Sequence, residues 1–342
     1  YTPPTGEPRC ARCDFTLPLS LVCTAIPPIK NPRYKLTLET NRPPPAMTSL
    51  FDDLYAKSPQ LLADQQEKSA TSSVAALSIA FLCGLDATVL VSKNAGRYRI
   101  QSGSFEGLWL LSQELVRRLI ALHGAASLQP GGDEEPFAIF ATEPLPLQEY
   151  FELVDEHLQC RHHLSALNDR LTERATQFRV IQKRLLVRLK DRNPAPLQNL
   201  ELLFEGTYHQ LLELSDATEA AISSLKFHST KLSAGTRLLL LLMKLRFNLG
   251  DEDAAVLAAH LSPLVEETPD QGWEERTDAA VAHLLRTSLS KSAKDTVTAA
   301  VHTLSCPADA SKLKKHITLM CDRLHKGLRP KPSGSGGREG KR

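Results

Sequence analysis

Apolar residues recur at steps of three and four along residues 147–192. They are Leu147, Phe151, Val154 and Leu158, then Leu164, Leu167, Leu171, Phe178, Ile181, Leu185 and Leu189. This is the one-face repeat of an amphipathic α-helix, and no glycine or proline interrupts it. Glu152, Asp155, Asp169, Arg170, Glu173, Arg174, Arg179, Lys183, Arg184 and Arg188 stand between and form a solvated face. The repeat slips between Leu158 and Leu164, around Cys160-Arg161-His162-His163. The slip predicts two helices meeting there as a hairpin rather than one rod.

Everything upstream reads as strand-bearing. Phe15 to Cys23 and Tyr34 to Thr40 alternate with period two, and Pro18 favours an edge position. Two strands are too few for an independent sheet, so they are read as the end of a β-sandwich that closes at Pro43-Pro44-Pro45. Val74 to Phe81, Asp86 to Ser92 and Arg97 to Gln101 then predict consecutive antiparallel strands joined by turns at Cys83-Gly84 and 93–96. Ser104 is placed to cap a helix carrying Leu108, Leu111, Leu115, Leu119 and Leu122, which Gly124 ends. A loop at 129–135 leads to a strand at Phe137–Phe140. A sheet with one long helix makes an α+β layer. The polar stretch 58–73 is expected to be a surface loop.

Downstream, Asn193-Pro194-Ala195-Pro196 breaks the helix. A second amphipathic helix follows through Leu225, and a third, apolar almost all round, spans Leu232 to Leu249. Shorter helices are expected at Asp251–Leu261, Asp270–Ser288 and Ser292–Leu304. A last one, capped by Asp309, carries Leu313, Ile317, Met320 and Leu324 and stops at Gly327. The Gly/Ser-rich end reads as a disordered tail. The expected organisation is α+β and all-α multidomain: 1–45 sandwich strands, 46–145 α+β domain, 146–193 helical hairpin, 194–328 C-terminal helical domain, 329–342 tail.

Composition narrows the choices. Lys plus Arg is 41 against 39 Asp plus Glu in 342 residues, a net charge of +2 that gives no global pull toward nucleic acid or an anionic membrane. Seven scattered cysteines suit a reducing compartment, where cysteine is mostly a small buried hydrophobe. A signal peptide is not expected from the opening residues, and the first, Tyr1, is expected to follow a removed initiator or a longer upstream part.

Candidate chemistry is sparse. Cys10 and Cys13 have the spacing of half a zinc ribbon without a second pair, so no metal site is expected, although His162 and His163 with Cys160 would be the residues to complete one. The run Lys312, Lys314, Lys315, His316, Arg323, Lys326, Arg329 and Lys331 could meet phosphate, but it reads equally as the polar face of a final helix. There is no phosphate loop, GxSxG, HExxH or kinase signature. Trp109, Trp273 and Phe178 fall at core spacing. No catalytic or cofactor-binding residue is assigned.

Several runs together carry a resemblance. They are Asn31 to Asn41, Arg97 to Ser102, Pro146 to Leu153, Arg192 to Leu197, Gly272-Trp273-Glu274-Glu275 with His283-Leu284-Leu285, and Leu313 to Leu324. They resemble the C-terminal half of the parathyroid hormone-responsive B1 family, the ninth Bardet-Biedl syndrome protein and a core subunit of the BBSome. The resemblance implies an upstream β-propeller and most of an adaptin-ear-like β-sandwich whose end is 1–45. It also implies a platform domain, a helical hairpin and a C-terminal helical domain. It implies no enzyme and no cofactor, but a scaffold in a coat-like complex with the other BBSome subunits. That complex is recruited to membranes by an Arf-like GTPase and carries ciliary membrane-protein cargo. The implied locations are the cilium and ciliary membrane, the basal body and centriolar satellites, and the cytoplasm. The alternative is a helical adaptor that binds anionic membrane or nucleic acid through its basic C-terminal helix; a metal-dependent enzyme using Cys10, Cys13, Cys160 and His162 ranks third.

Overall fold

Leu77, Val89, Ile100 and Leu36 stand in register across four strands, and Ala75, Val91, Tyr98 and Leu38 form the next row. All but Ala75 are buried. These rows are the core of one sheet in the computed structural model, which describes residues 17–27, 31–57, 74–92, 96–126, 136–190, 197–262, 271–289 and 305–330. The chain divides into two units, Tyr1–Glu143 and Pro144–Arg342.

The first unit runs α1 (Leu19–Val22), β1 (Cys23–Ile26), β2 (Tyr34–Thr40), α2 (Met47–Leu50), α3 (Asp52–Lys57), β3 (Val74–Phe81), β4 (Asp86–Ser92), β5 (Arg97–Ser102), α4 (Phe105–Ala126) and β6 (Ile139–Phe140). The sheet order is β1-β3-β4-β5-β2-β6, every neighbouring pair antiparallel. Helix α4 lays Leu108, Leu111, Leu115 and Leu119 over the apolar rows. Each such side chain is worth about 1.5–3 kcal/mol when buried, so a one-residue slip that turned a row outward is excluded. Ser104 caps α4 as expected, its Oγ accepting from Gly107 N at 3.1 Å. Arg118 of α4 reaches α3 with both Asp53 oxygens at 2.7 and 2.9 Å, and this guanidinium holds the Asp53 carboxyl below its usual value.

Of the two strands expected to end an adaptin-ear-like sandwich, Tyr34–Thr40 belongs to this sheet instead. The stretch expected as Phe15–Cys23 folds at Leu19–Val22 as helix α1, and its strand β1 begins only at Cys23. β2 lies between β5 and β6, and β1 pairs with β3. Alternation identifies a strand but not its partner, and the three prolines at 43–45 lead into α2 rather than marking a domain boundary.

The second unit is helical: α5 (Leu147–Leu189), α6 (Gln198–Arg246), α7 (Asp251–Leu261), α8 (Trp273–Arg286) and α9 (Ser311–His325). Helix α5 is a continuous 43 residues, about 65 Å at 1.5 Å per residue. No turn falls at Cys160–His163. The expected hairpin within 146–193 is therefore replaced by one formed from α5 and α6. Tyr150 meets Thr236, Cys160 meets Ser224 and Phe178 stacks on Phe204, so the two helices run antiparallel. The two helices expected on either side of residues 226–231 are one 49-residue α6.

The proximal end of the hairpin is clad by α7, α8 and α9. Leu238, Leu239, Leu242 and Met243 of α6 are buried there, as the all-round apolar pattern requires, with Val281, Leu284, Leu313, Ile317, Met320 and Leu324. Gly327 at φ 81° closes α9, Gly327 N donating to Leu324 O and Leu328 N to Arg323 O. Gly250 stands at the N-cap of α7, and Asp251 in its first turn pairs with Lys244. The expected features at 58–73, 129–135 and 292–304, and the tail from 331, lie outside the described residues.

Candidate assembly surface

The slip in the α5 repeat has a physical cause. Arg161 occupies the inward position between Leu158 and Leu164 and is only 8% exposed. His157 lies one turn earlier on the same face and is fully buried. Both reach the first turn of α8. Arg161 Nη1 donates to Glu274 Oε2 at 2.6 Å and to Glu275 Oε2 at 2.8 Å, and Nη2 donates to Glu275 Oε1 at 2.9 Å. His157 Nδ1 stands 2.6 Å from Glu274 Oε1. A carboxylate shared with arginine can only accept, so Nδ1 carries the proton. Glu275 Oε1 also accepts from Gly272 N at 2.5 Å, which satisfies a donor at the helix N-terminus.

Burial alone would raise the Glu275 carboxyl, but Arg161 and the Gly272 N–H outweigh it and hold it below its ordinary value. Burial likewise opposes the Arg161 charge, and the two carboxylates reverse that, keeping the guanidinium protonated. The cluster binds α5 to α8. It offers no nucleophile or open coordination position, and its role is to lock the bundle.

The sequence-selected candidates scatter. Cys10 and Cys13 lie outside the described residues. Cys160 Sγ faces Ser224 Oγ at 3.7 Å, while His162 Nε2 turns to the Pro307 carbonyl at 2.9 Å. Among the described residues no three His, Cys, Asp or Glu side chains gather as metal ligands. The basic run of α9 is largely matched inside the unit. Lys314 meets Asp155 at 2.5 Å, Lys312 and His316 meet Asp278 at 3.0 and 2.6 Å, and Arg323 and Arg329 donate to backbone carbonyls. Lys331 lies outside the described residues. Trp109 is half-buried, and Trp273 Nε1 donates to Leu261 O, a packing role.

The distal half of the hairpin is different. Of Phe178, Ile181, Leu185 and Leu189, Phe178 stacks on Phe204 with centroids 4.7 Å apart and Ile181 is buried, so these two face α6. The outward apolar residues are Val180, Leu186, Val187 and Leu189 on α5, with Leu202, Leu203, Tyr208 and Leu212 on α6. Leu202 is 67% exposed and Leu203 54%. A groove of about 490 Å³ runs between the helices here, lined among others by Val180, Ile181, Leu202, Leu203, Gly206 and Gln210. The sequence pattern assigns Leu189 and Tyr208 to the inward stripes, but both lie outward. It does not select Val180, Leu186, Val187, Leu202, Leu203 and Leu212; their signal is an apolar residue beside the main stripe.

Glycine inside a helix costs about 0.5–1 kcal/mol relative to alanine. Among the described residues nothing lies within 4 Å of the place a Cβ would take at Gly206. Gly206→Ala is therefore expected to raise the unfolding free energy by about 0.5–1 kcal/mol in a urea titration.

Three family models match the chain in order: the PTHB1 platform domain over residues 18–131, the PTHB1 hairpin over 144–247 and the PTHB1 C-terminal helix bundle over 249–324. The chain belongs to the PTHB1 family. Those bounds agree with the structure in placing β1 and β2 in the platform and both long helices in the hairpin. Protein PTHB1 of Homo sapiens is 44% identical over 326 residues, 95% of this chain and 35% of that protein. Protein PTHB1 of Xenopus laevis is 42% identical over 95% of this chain and 36% of its own length. The pthb1 homolog of Caenorhabditis elegans is 24% identical over 235 residues, 66% of this chain and 28% of that protein. The chain thus spans about a third of the length of these relatives.

Proposed function

We propose that this chain is a non-enzymatic scaffold segment of a BBSome-type coat complex, supporting ciliary membrane-protein transport and cilium assembly through helix-mediated contacts with other BBSome subunits. Its membrane recruitment by an Arf-like GTPase and its place at the cilium, basal body, centriolar satellites and cytoplasm belong to the same reading. The observation that carries it is the contrast within one hairpin. The proximal half buries its stripe under three helices, while the distal half presents Leu202, Leu203, Val187 and Leu189 outward. Apolar side chains on a grooved helix pair are the form helix-mediated assembly takes. No helix among the described residues is long and apolar enough to cross a membrane. The adaptor alternative loses support because Lys312, Lys314 and His316 already face acidic partners and Arg323 and Arg329 backbone carbonyls.

The test is affinity purification of the tagged chain from ciliated-cell extract. BBSome subunits are expected to co-purify and to persist as salt rises, since apolar packing is not screened. Recovery of none of them would overturn the reading, and binding that vanished steeply with salt would favour the phosphate-binding alternative.

A further inference from the structure

The charges beside the distal groove are not neutralised by the described chain. Arg170, Arg174, Gln177, Ile181, Arg184 and Arg188 follow at alternating steps of four and three, so they share one stripe of α5. Arg174, Gln177 and Ile181 line the groove itself. Arg170, Arg184 and Arg188 continue its wall above and below, exposed and without an ion pair among the described residues. From Arg174 to Lys190 the helix carries six Lys or Arg and no Asp or Glu. The facing wall on α6 (Leu202, Leu203, Gly206, Gln210) is uncharged.

Gly206 is a second, independent observation. Glycine disfavours a helix interior more than any residue except proline, and the space above this one is open. No neighbour among the described residues requires it. A glycine on a groove wall lets another backbone approach closely.

We propose that this groove receives an acidic amphipathic helix of a partner protein. Its apolar stripe seats on Val180, Leu202 and Leu203, its carboxylates lie along the Arg170–Arg188 stripe, and a small residue sits against Gly206. An anionic bilayer fits less well. A flat surface would also meet Glu201, Glu205, Glu213, Asp216 and Glu219 of the adjoining Gln198–Ala220 segment, which has no Lys or Arg. On α6, a helix seated in the groove meets only the uncharged wall. The inference rests on the scaffold reading for its biological setting, and the test separates the two.

The probe is a synthetic fluorescent helix of about six turns, or 21 residues, with a leucine stripe, a central alanine and glutamates on its flanks. A lysine-flanked twin serves as control. The purified full chain is expected to bind the glutamate peptide about tenfold or more tightly than the twin in an anisotropy titration, less so at high salt. Arg184→Glu with Arg188→Glu should invert the preference. Gly206→Ala should weaken binding although it stabilises the helix. Gly206→Leu should abolish binding with helical content unchanged, which a merely structural glycine would not do.

Equal binding of both peptides, or full binding by Gly206→Leu, overturns the proposal. So does tighter binding to phosphatidylserine vesicles that survives Gly206→Leu, which would make the face a lipid surface. Self-association abolished by Gly206→Leu would also overturn it, assigning the groove to a second copy. BBSome subunits that fail to co-purify with the wild-type chain sink the scaffold reading alone; the peptide result judges the groove.

Discussion

Arg161→Ala is expected to cost the helical unit about 3–5 kcal/mol, because it leaves Glu274 and Glu275 buried without their cation. That is a large part of the 5–15 kcal/mol by which a domain is ordinarily stable. Urea denaturation followed by circular dichroism would read it as a lower midpoint at unchanged slope. The penalty should depend on pH. In the wild type the folded Glu275 carboxyl lies below its ordinary 4.5, so its contribution is present above that value and is lost as pH falls through the folded value. Without Arg161, burial dominates and the carboxyl moves up. Its ionisation then opposes folding as pH rises, so the mutant's deficit should shrink in acid. Adding Glu274→Gln and Glu275→Gln to Arg161→Ala should restore much of the loss at neutral pH, since no charge is left uncompensated. A single-mutant cost below about 1 kcal/mol, flat with pH, would mean that the cluster is no lock.

The same residue explains where the sequence could and could not be read. Periods of two and of three to four located β3, β4, β5, α4 and α9, because each presents a largely apolar face, whereas α5 reads as two helices parted at Arg161. Where a buried face turns polar, counting apolar residues fails. Arg161 and His157 interrupt the α5 stripe only in composition; their partners Glu274 and Glu275 stand more than a hundred residues away, beyond any local pattern. Thr207 and Thr218 of α6 are buried in the same manner, each hydroxyl donating to the carbonyl four residues earlier at 2.6 and 2.7 Å. Inward threonines thin out the apolar stripe of α6, and the polar surface stretch at 226–231 then read as a gap. The partner of β2 was hidden for another reason. Its alternation is the same whether it closes a sandwich or enters a platform sheet, and only the pairing of Leu36 with Ile100 and Leu38 with Tyr98 decides. The resemblance supplied the platform and the C-terminal bundle, but not the groove, whose exposed leucines lie beside the main stripe.

Gly272→Ala should be damaging for a reason confined to one neighbour. At φ −118° the backbone suits any residue, so no conformational strain is added. The new Cβ would stand 2.1 Å from Arg161 Cζ and 2.5 Å from Nε. A surface arginine would swing away, but this one is held by Glu274 at 2.6 Å and by Glu275 at 2.8 and 2.9 Å. Either the guanidinium leaves its carboxylates or α8 moves off α5. An overpacked site costs about 1–3 kcal/mol, and here it also disturbs the ion cluster. The decisive measurement is a double-mutant cycle. With Arg161 already alanine, the guanidinium atoms that Cβ meets are gone, and Gly272→Ala should become nearly neutral. The coupling is then expected at about 1–3 kcal/mol, against a few tenths for independent sites. Additive costs would show that the glycine serves its own helix, whose N-terminal donor Glu275 already satisfies, and that its closeness to Arg161 carries no energy.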